Sequence, residues 1–204
     1  MNTLKSEFVE LFGENPVESG KWEVGKIEDI VDRNIKTAKK SFLKSDIIKY
    51  VDISAIDNTT NLVTGFTEYE LSKAPSRAQQ VIQKYDILIS TVRPNLRNIA
   101  INYFNNSNIV GSSGFCVLRP IERCVPEYLF YCVLSDNFTK EMVSLTNGAN
   151  YPAIRDADVL NYQISIPPLN MQNQFAAFVQ QIDKSKFVVQ EALLKIHSLC
   201  PIIY

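Results

Sequence analysis

The 204-residue sequence has one histidine, seven glycines and four cysteines, and no apolar run approaching membrane-span length. Each shortage closes off a class of function. A bilayer span needs roughly 18 or more consecutive apolar residues, so no membrane partner is expected. General acid–base chemistry draws first on histidine, and His197 stands alone on a helical stretch, where a solvated or half-buried side chain is the ordinary reading. No P-loop, GxGxxG, GxSxG or HExxH pattern occurs, so the common phosphate-cradling, nucleophilic and zinc-hydrolase arrangements are missing. There is no Asn-Pro-Pro-Tyr-type motif, and the chain is not expected to bind a methyl donor itself. Glu70-Leu71-Ser72-Lys73 brings a carboxylate near a lysine, but the spacing is one residue too long for a nuclease E-x-K. The cysteines (Cys116, Cys124, Cys132, Cys200) are spaced by eight, eight and sixty-eight residues, with no CxxC metal or redox pair. Buried free thiols are expected.

What is present is ordinary in amount and uneven in distribution. Apolar residues make up 46% and charged residues 21% of the chain, a globular composition. The formal net charge is −1, yet residues 31–49 carry six Lys and Arg against Asp32 and Asp46. Residues 71–100 carry five basic residues against Asp86, and residues 1–20 carry Lys5 against four glutamates. Screening confines each charge to roughly 8–10 Å, so local basic patches can engage phosphates on a neutral protein. The alternative is two solvated surface segments. The acidic, amphipathic N-terminus is unlike a signal peptide, and a cytoplasmic location is expected.

Periodicity divides the chain into a short helix, a strand-rich middle and helices toward the end. Leu4, Phe8, Leu11 and Phe12 fall at helical spacing, with Gly13 as a stop. Such a helix is too short to stand alone in water and must pack on something. Ile47–Ile53, Asp86–Val92, Asn98–Phe104 and Ile109–Leu118 read as strands. Asp57–Asn61 is turn chemistry, and Gly111 and Gly114 suggest a bulge or a close backbone approach. Pro126 is suited to open a helix, whose apolar positions run from Leu129 to Leu145. A short helix near Asp156–Leu160 precedes a strand at Tyr162–Ile166. The expected class is α+β: a mixed β-sheet domain with flanking helices over residues 21–166. It is preceded by a helix and linker over 1–20, expected to pack on the rod, and followed by that rod, a long helix over 167–204.

That last helix has a seven-residue rhythm. Phe175, Ile182, Val189 and Ile196 recur at one offset; Met171, Phe178, Ser185, Ala192 and Leu199 recur at the complementary one. All but Ser185 are apolar, giving a heptad seam of about four repeats. At 1.5 Å per residue the rod is roughly 43 Å long. After Pro167-Pro168 it has no room to fold back. A coiled-coil rod that spaces or dimerises a recognition head is expected, against the alternative of a core helix lying across its own domain.

Several stretches, in order, resemble one half of a type I restriction-modification specificity subunit. They are Leu4–Gly13; Trp22 leading into Ile27–Ile30; Ser76-Arg77-Ala78; Tyr85–Pro94; Ser113–Arg119; Pro126–Phe130; Asn147–Arg155; and Ile166–Leu169 with Gln174. The resemblance covers nearly the whole chain. It implies a target recognition domain joined to a helical rod, with no catalysis in the chain itself. In this family two such domains, inverted about an antiparallel helix pair, each read half of a split site in double-stranded DNA. They dock methyltransferase subunits that use S-adenosylmethionine and restriction subunits that use ATP and Mg. A single recognition domain implies either a half-subunit that homodimerises through the C-terminal helix, at Met171, Phe175, Phe178, Ile182, Val189, Ala192, Ile196 and Leu199, or a truncated or rearranged gene. The family usually has Gly before the Asp of the strand motif; here Tyr85 stands there.

DNA contacts are expected from charge and turn position. Lys36, Lys39, Lys40 and Lys73 are assigned to phosphates, which set register. Arg77, Arg93 and Arg97 flank loops and have the fork geometry that pairs with guanine, while Asn61 and Asn95 suit adenine. For each arginine a structural ion pair is the alternative. Asn147–Arg155 reads as a turn holding the domain to the rod. The competing function is a scaffold or decoy that binds methyltransferase subunits without reading DNA.

Overall fold

The computed structural model describes residues 3–14, 17–146 and 152–199, with the side chains of the last helix described through Ser185. Its elements are α1 (Thr3–Phe12), β1 (Glu23–Lys26), α2 (Ala38–Ser41), β2 (Ile47–Val51), β3 (Ile56–Asp57), β4 (Leu62–Val63) and β5 (Thr67–Glu70). They continue with β6 (Ala78–Val81), β7 (Ile87–Ser90), β8 (Ile99–Ile101), β9 (Ile109–Ser112) and β10 (Phe115–Leu118). The helices α3 (Pro126–Val133), α4 (Asp136–Ser144) and α5 (Asp156–Leu160), strand β11 (Gln163–Ile166) and helix α6 (Leu169–Leu199) complete the order.

The strands form two mixed sheets and a ribbon. One sheet has the order β10-β7-β8-β4-β3, the other β5-β2-β9-β6, and β1 pairs with β11. Both sheets combine antiparallel pairs with one parallel pair, β4 with β8 and β2 with β9. The sequence explains the layering through its period of two. In β7, Ile87 and Ile89 join a core shared with the helices, while Leu88 faces the other sheet. Cys116 and Leu118 of β10 likewise face the helices, and Phe115 and Val117 face the second sheet. Both faces are covered, which is why β7 and β10 read as continuous apolar runs. The outer face of the second sheet carries Ile48, Tyr50 and Val110, covered by Ala38, Phe42, Leu71 and Ala74.

Residues 109–118, expected as one strand, form two strands in different sheets. Ser113–Gly114 is the corner that switches between them. Gly111 is a close approach: a Cβ there would lie 2.9 Å from Ile82 Cδ1. The bulge sits in the β6–β9 ladder between Ala78 and Gln80. The single helix expected from Pro126 to Leu145 is broken into α3 and α4. Ser135 is extended, and its Oγ accepts the Phe138 amide at 3.1 Å, capping α4. That local bond outcompetes helix continuation.

The C-terminal helix is 31 residues long, roughly 46 Å. Its first half does fold back, contrary to expectation. Phe175 and Val179 are buried in the core shared with α1, α3 and β7, and Met171, Phe178 and Ile182 pack partly against it. Phe175 meets Phe8 at 5.3 Å and Tyr131 at 5.0 Å in edge-on geometry, an arrangement aromatic rings favour. These seam residues therefore face the chain's own helices. The side chains of Val189, Ala192, Ile196, Leu199 and His197 lie outside the described residues, as do Asn147–Tyr151 and Cys200. Cys116, Cys124 and Cys132 are buried free thiols, and burial pushes Cys124 up to about 12.

Candidate nucleic-acid interface

Strand register determines which loops meet. Ala78 pairs with Ser112, Phe115 with Ser90 and Ile89 with Ile99. The loop before β6, the β9–β10 corner and the β7–β8 loop therefore emerge at one end of the two sheets. Backbone bonds tie them in series. Ser113 N donates to Arg77 O at 2.8 Å, and Thr91 N donates to Gly114 O at 3.0 Å. Ile154 N donates to Thr91 O at 2.9 Å, and Arg93 N donates to Pro152 O at 2.8 Å. The resulting edge presents Arg77, Ser113, Arg93 and Asn95, all exposed. Arg77 has no ion pair among the described residues.

Two assigned readers at this end are engaged elsewhere. Asn61 donates its side-chain amide to Ile99 O at 3.0 Å and adopts φ +56° in the β3–β4 turn. It closes the turn, the other common role of a left-handed Asn. Arg97 donates to Leu134 O and pairs with Asp136 at 2.9 Å. Lys5 reaches the other Asp136 oxygen at 2.7 Å. Arg97 thus belongs to a latch joining the β7–β8 loop, α4 and α1. The Lys5 ammonium and the Arg97 guanidinium hold the Asp136 carboxyl below the usual aspartate value, against some desolvation.

The assigned phosphate contacts gather elsewhere. Lys36, Lys39 and Lys40 lie in and before α2, which packs beside β6; Val81 N donates to Lys36 O. Lys73 lies on the segment that covers the same outer sheet face. All four are exposed. Lys73 is paired with Glu70 at 2.8 Å, which raises the lysine and lowers the glutamate. The two basic segments of the sequence are therefore neighbours in space, flanking the loop that leads to Arg77.

The residues that tie the two sheets together at their opposite end were not assigned from the sequence. Asp86 is fully buried, and Arg119 grips it bidentately at 2.8 and 2.7 Å while also donating to Val81 O at 3.0 Å. Burial pushes the Asp86 carboxyl up, and the Arg119 fork and the Gln83 amide pull it back in part. The signal was available: one acid opening an apolar strand run and one arginine closing another each need a buried partner. Tyr85 adopts φ +70°, the conformation that suits the glycine usual at this place. Gln172, rather than Gln174, anchors α6. It is buried; its Oε1 accepts Val125 N at 2.8 Å and its amide donates to Pro167 O at 2.7 Å.

Residues 19–195 match the family model for the type I restriction modification DNA specificity domain. The chain belongs to this family. It is 28% identical over 196 residues to the MjaVIII specificity subunit of Methanocaldococcus jannaschii, covering 87% of this chain and 45% of that one. It is 26% identical over 153 residues to the HindI specificity subunit of Haemophilus influenzae, covering 69% of this chain and 33% of that one. Among solved structures, the HsdS subunit from Thermoanaerobacter tengcongensis superposes with a TM-score of 0.70 at 32% identity, over 88% of this chain and 47% of that one. A chain from a solved type I restriction-modification system superposes with a TM-score of 0.72 at 32% identity, over 87% and 46%. The chain thus spans about half or less of the length of these relatives. Specificity subunits are the non-catalytic components of their complexes. Among the described residues no helix is long and apolar enough to cross a membrane, and no group of three or more His, Cys, Asp or Glu could hold a metal ion.

Proposed function

We propose that this chain reads one half of a bipartite double-stranded DNA target on behalf of methyltransferase subunits, which carry S-adenosylmethionine, and of restriction subunits, which use ATP and Mg. The observation that carries this reading is the hydrogen-bonded loop edge. It brings Arg77, Arg93 and Asn95 to one end of the sheets, and α2 with its lysines packs along β6, the strand that follows Arg77. Arginine and asparagine on a rigid edge can pair with base edges, while Lys36, Lys39, Lys40 and Lys73 fix register through phosphates. A second recognition unit, from a further copy of this chain or a neighbouring domain, would read the other half-site. The distal half of α6 is the element suited to set the spacing.

The test is reconstitution with a cognate methyltransferase subunit and base-resolved mapping of adenine methylation. Site-selective methylation that is lost in R77A/R93A, with assembly intact, supports the reading. Methylation unchanged by the double substitution refutes it and favours a scaffold that binds methyltransferase subunits without reading DNA.

A further inference from the structure

The loop between β7 and β8 is held in an unfavourable backbone conformation at both ends. Arg93 adopts φ +50° and Arg97 φ +54°, bracketing the turn Pro94-Asn95-Leu96. A side chain in the left-handed region is strained, and two such residues persist only where the surroundings over-determine them. The surroundings here do so. Arg93 N is tied to Pro152 O, Leu96 N to Arg93 O and Arg97 N to Pro94 O. The Arg97 guanidinium is fastened to Leu134 O and Asp136. The result is a stiff tip whose Asn95 and Leu96 point away from the core; Leu96 is 47% exposed. Leu96 thus presents about half of its aliphatic surface to solvent at the apex of a clamped, strained loop.

From this tip we infer that Leu96 is a base-reading residue that packs against the C5-methyl group of a thymine in the major groove, next to the base contacted by Asn95. The inference rests on the DNA-reading assignment above. The thymine methyl is the one apolar group on the major-groove edges, and asparagine pairs bidentately with adenine N6 and N7. An Asn-Leu pair at adjacent positions of one rigid turn therefore fits an A·T-containing step. The latch through Arg97 and Asp136 makes the contact selective, because a tip that cannot shift cannot re-aim at a base lacking the methyl.

The test uses the chain assembled with its methyltransferase subunit. The half-site is first defined by selection from a random duplex library; each dT is then replaced in turn by dU, which deletes only the methyl. At one position the replacement weakens wild-type binding about 3–5-fold, as expected for losing one buried methyl contact. L96A is weakened to a similar degree on the dT duplex and is indifferent to dU at that position, while L96M keeps the sensitivity. Leu96 is exposed, so an unchanged melting temperature checks that L96A folds. A wild-type protein insensitive to dU at every position overturns the inference, as does L96A retaining the wild-type sensitivity. In both cases an enriched half-site leaves the DNA-reading assignment standing. If no half-site is enriched, that assignment fails and the inference with it.

Discussion

Replacing Arg119 by methionine removes the only cation among the described residues that is bonded to Asp86, a carboxylate with no access to water. Asp86 accepts three bonds: two from Arg119, at 2.8 and 2.7 Å, and one from Gln83 N at 2.7 Å. R119M leaves one of the three, and it also leaves Val81 O without its side-chain donor. Asp86 is 0% exposed, so water cannot replace what is lost. Breaking one side of a buried pair costs about 3–5 kcal/mol, whereas replacing both partners by apolar groups is often close to neutral. With a urea slope of about 2 kcal/mol per molar, the midpoint should fall by roughly 1.5–2.5 M. D86L/R119M should recover more than half of that loss, giving a coupling energy of about 2 kcal/mol or more in a double-mutant cycle. The pH dependence has a definite sign. Burial already raises the Asp86 carboxyl, and removing the guanidinium raises it further. The folded variant then holds its proton more tightly than the unfolded chain, so its deficit shrinks as pH falls toward the ordinary aspartate value and grows as pH rises. A deficit under about 1 kcal/mol, or a coupling energy near zero, would show that the clamp does not bind the two sheets together.

Other expectations concern single contacts. Q172A strands Val125 N and Pro167 O in the core and should cost about 2–4 kcal/mol, read as a lowered urea midpoint with unchanged slope. Y85G should be nearly neutral, within about 1 kcal/mol, since relief at φ +70° offsets the lost aromatic contacts. Y85V should lose more than Y85G, because a β-branched residue is poorly tolerated at positive φ; equal losses would contradict the strain argument. The Asp136 carboxyl is held below the ordinary value by Lys5 and then Arg97. Its contribution is therefore present above the unfolded aspartate value, about 3.9, and is lost as pH falls through the lower folded value. The residue is half exposed and screened, so D136N should cost about 1 kcal/mol or less at neutral pH. It should also flatten the acid end of the stability curve measured by thermal melting.

The parts of the fold set by short-range pattern were legible in the sequence. Leu4, Phe8 and Phe12 mark α1, Ile87–Ser90 marks β7, and Asp57–Asn61 marks a turn, because each depends on neighbours within a few residues. Long-range partnerships were not legible. Nothing local tells that Gly114 switches sheets, or that Ser135 interrupts a helix whose apolar stripe continues past it. The heptad rhythm of Met171, Phe175, Phe178 and Ile182 fits an intramolecular groove as well as an interchain seam. The choice between them depends on α1 and α3 being present to fill the groove. At the candidate interface, charge singled out Arg77, Arg93 and Arg97 alike. The fold separates Arg97, fastened to Asp136, from Arg77, which has no ion pair among the described residues. Asn61 has the amide chemistry that suits adenine, and it uses that same amide to close its own turn on Ile99.

The most direct measurement is enrichment of a random duplex library by the chain assembled with a methyltransferase subunit, sequenced after several rounds beside the R77A/R93A variant. The account predicts a short, fixed half-site for the wild type and loss of defined positions within it for the variant. A uniform library after selection, or an identical motif for both proteins, would contradict the claim that this loop edge reads DNA.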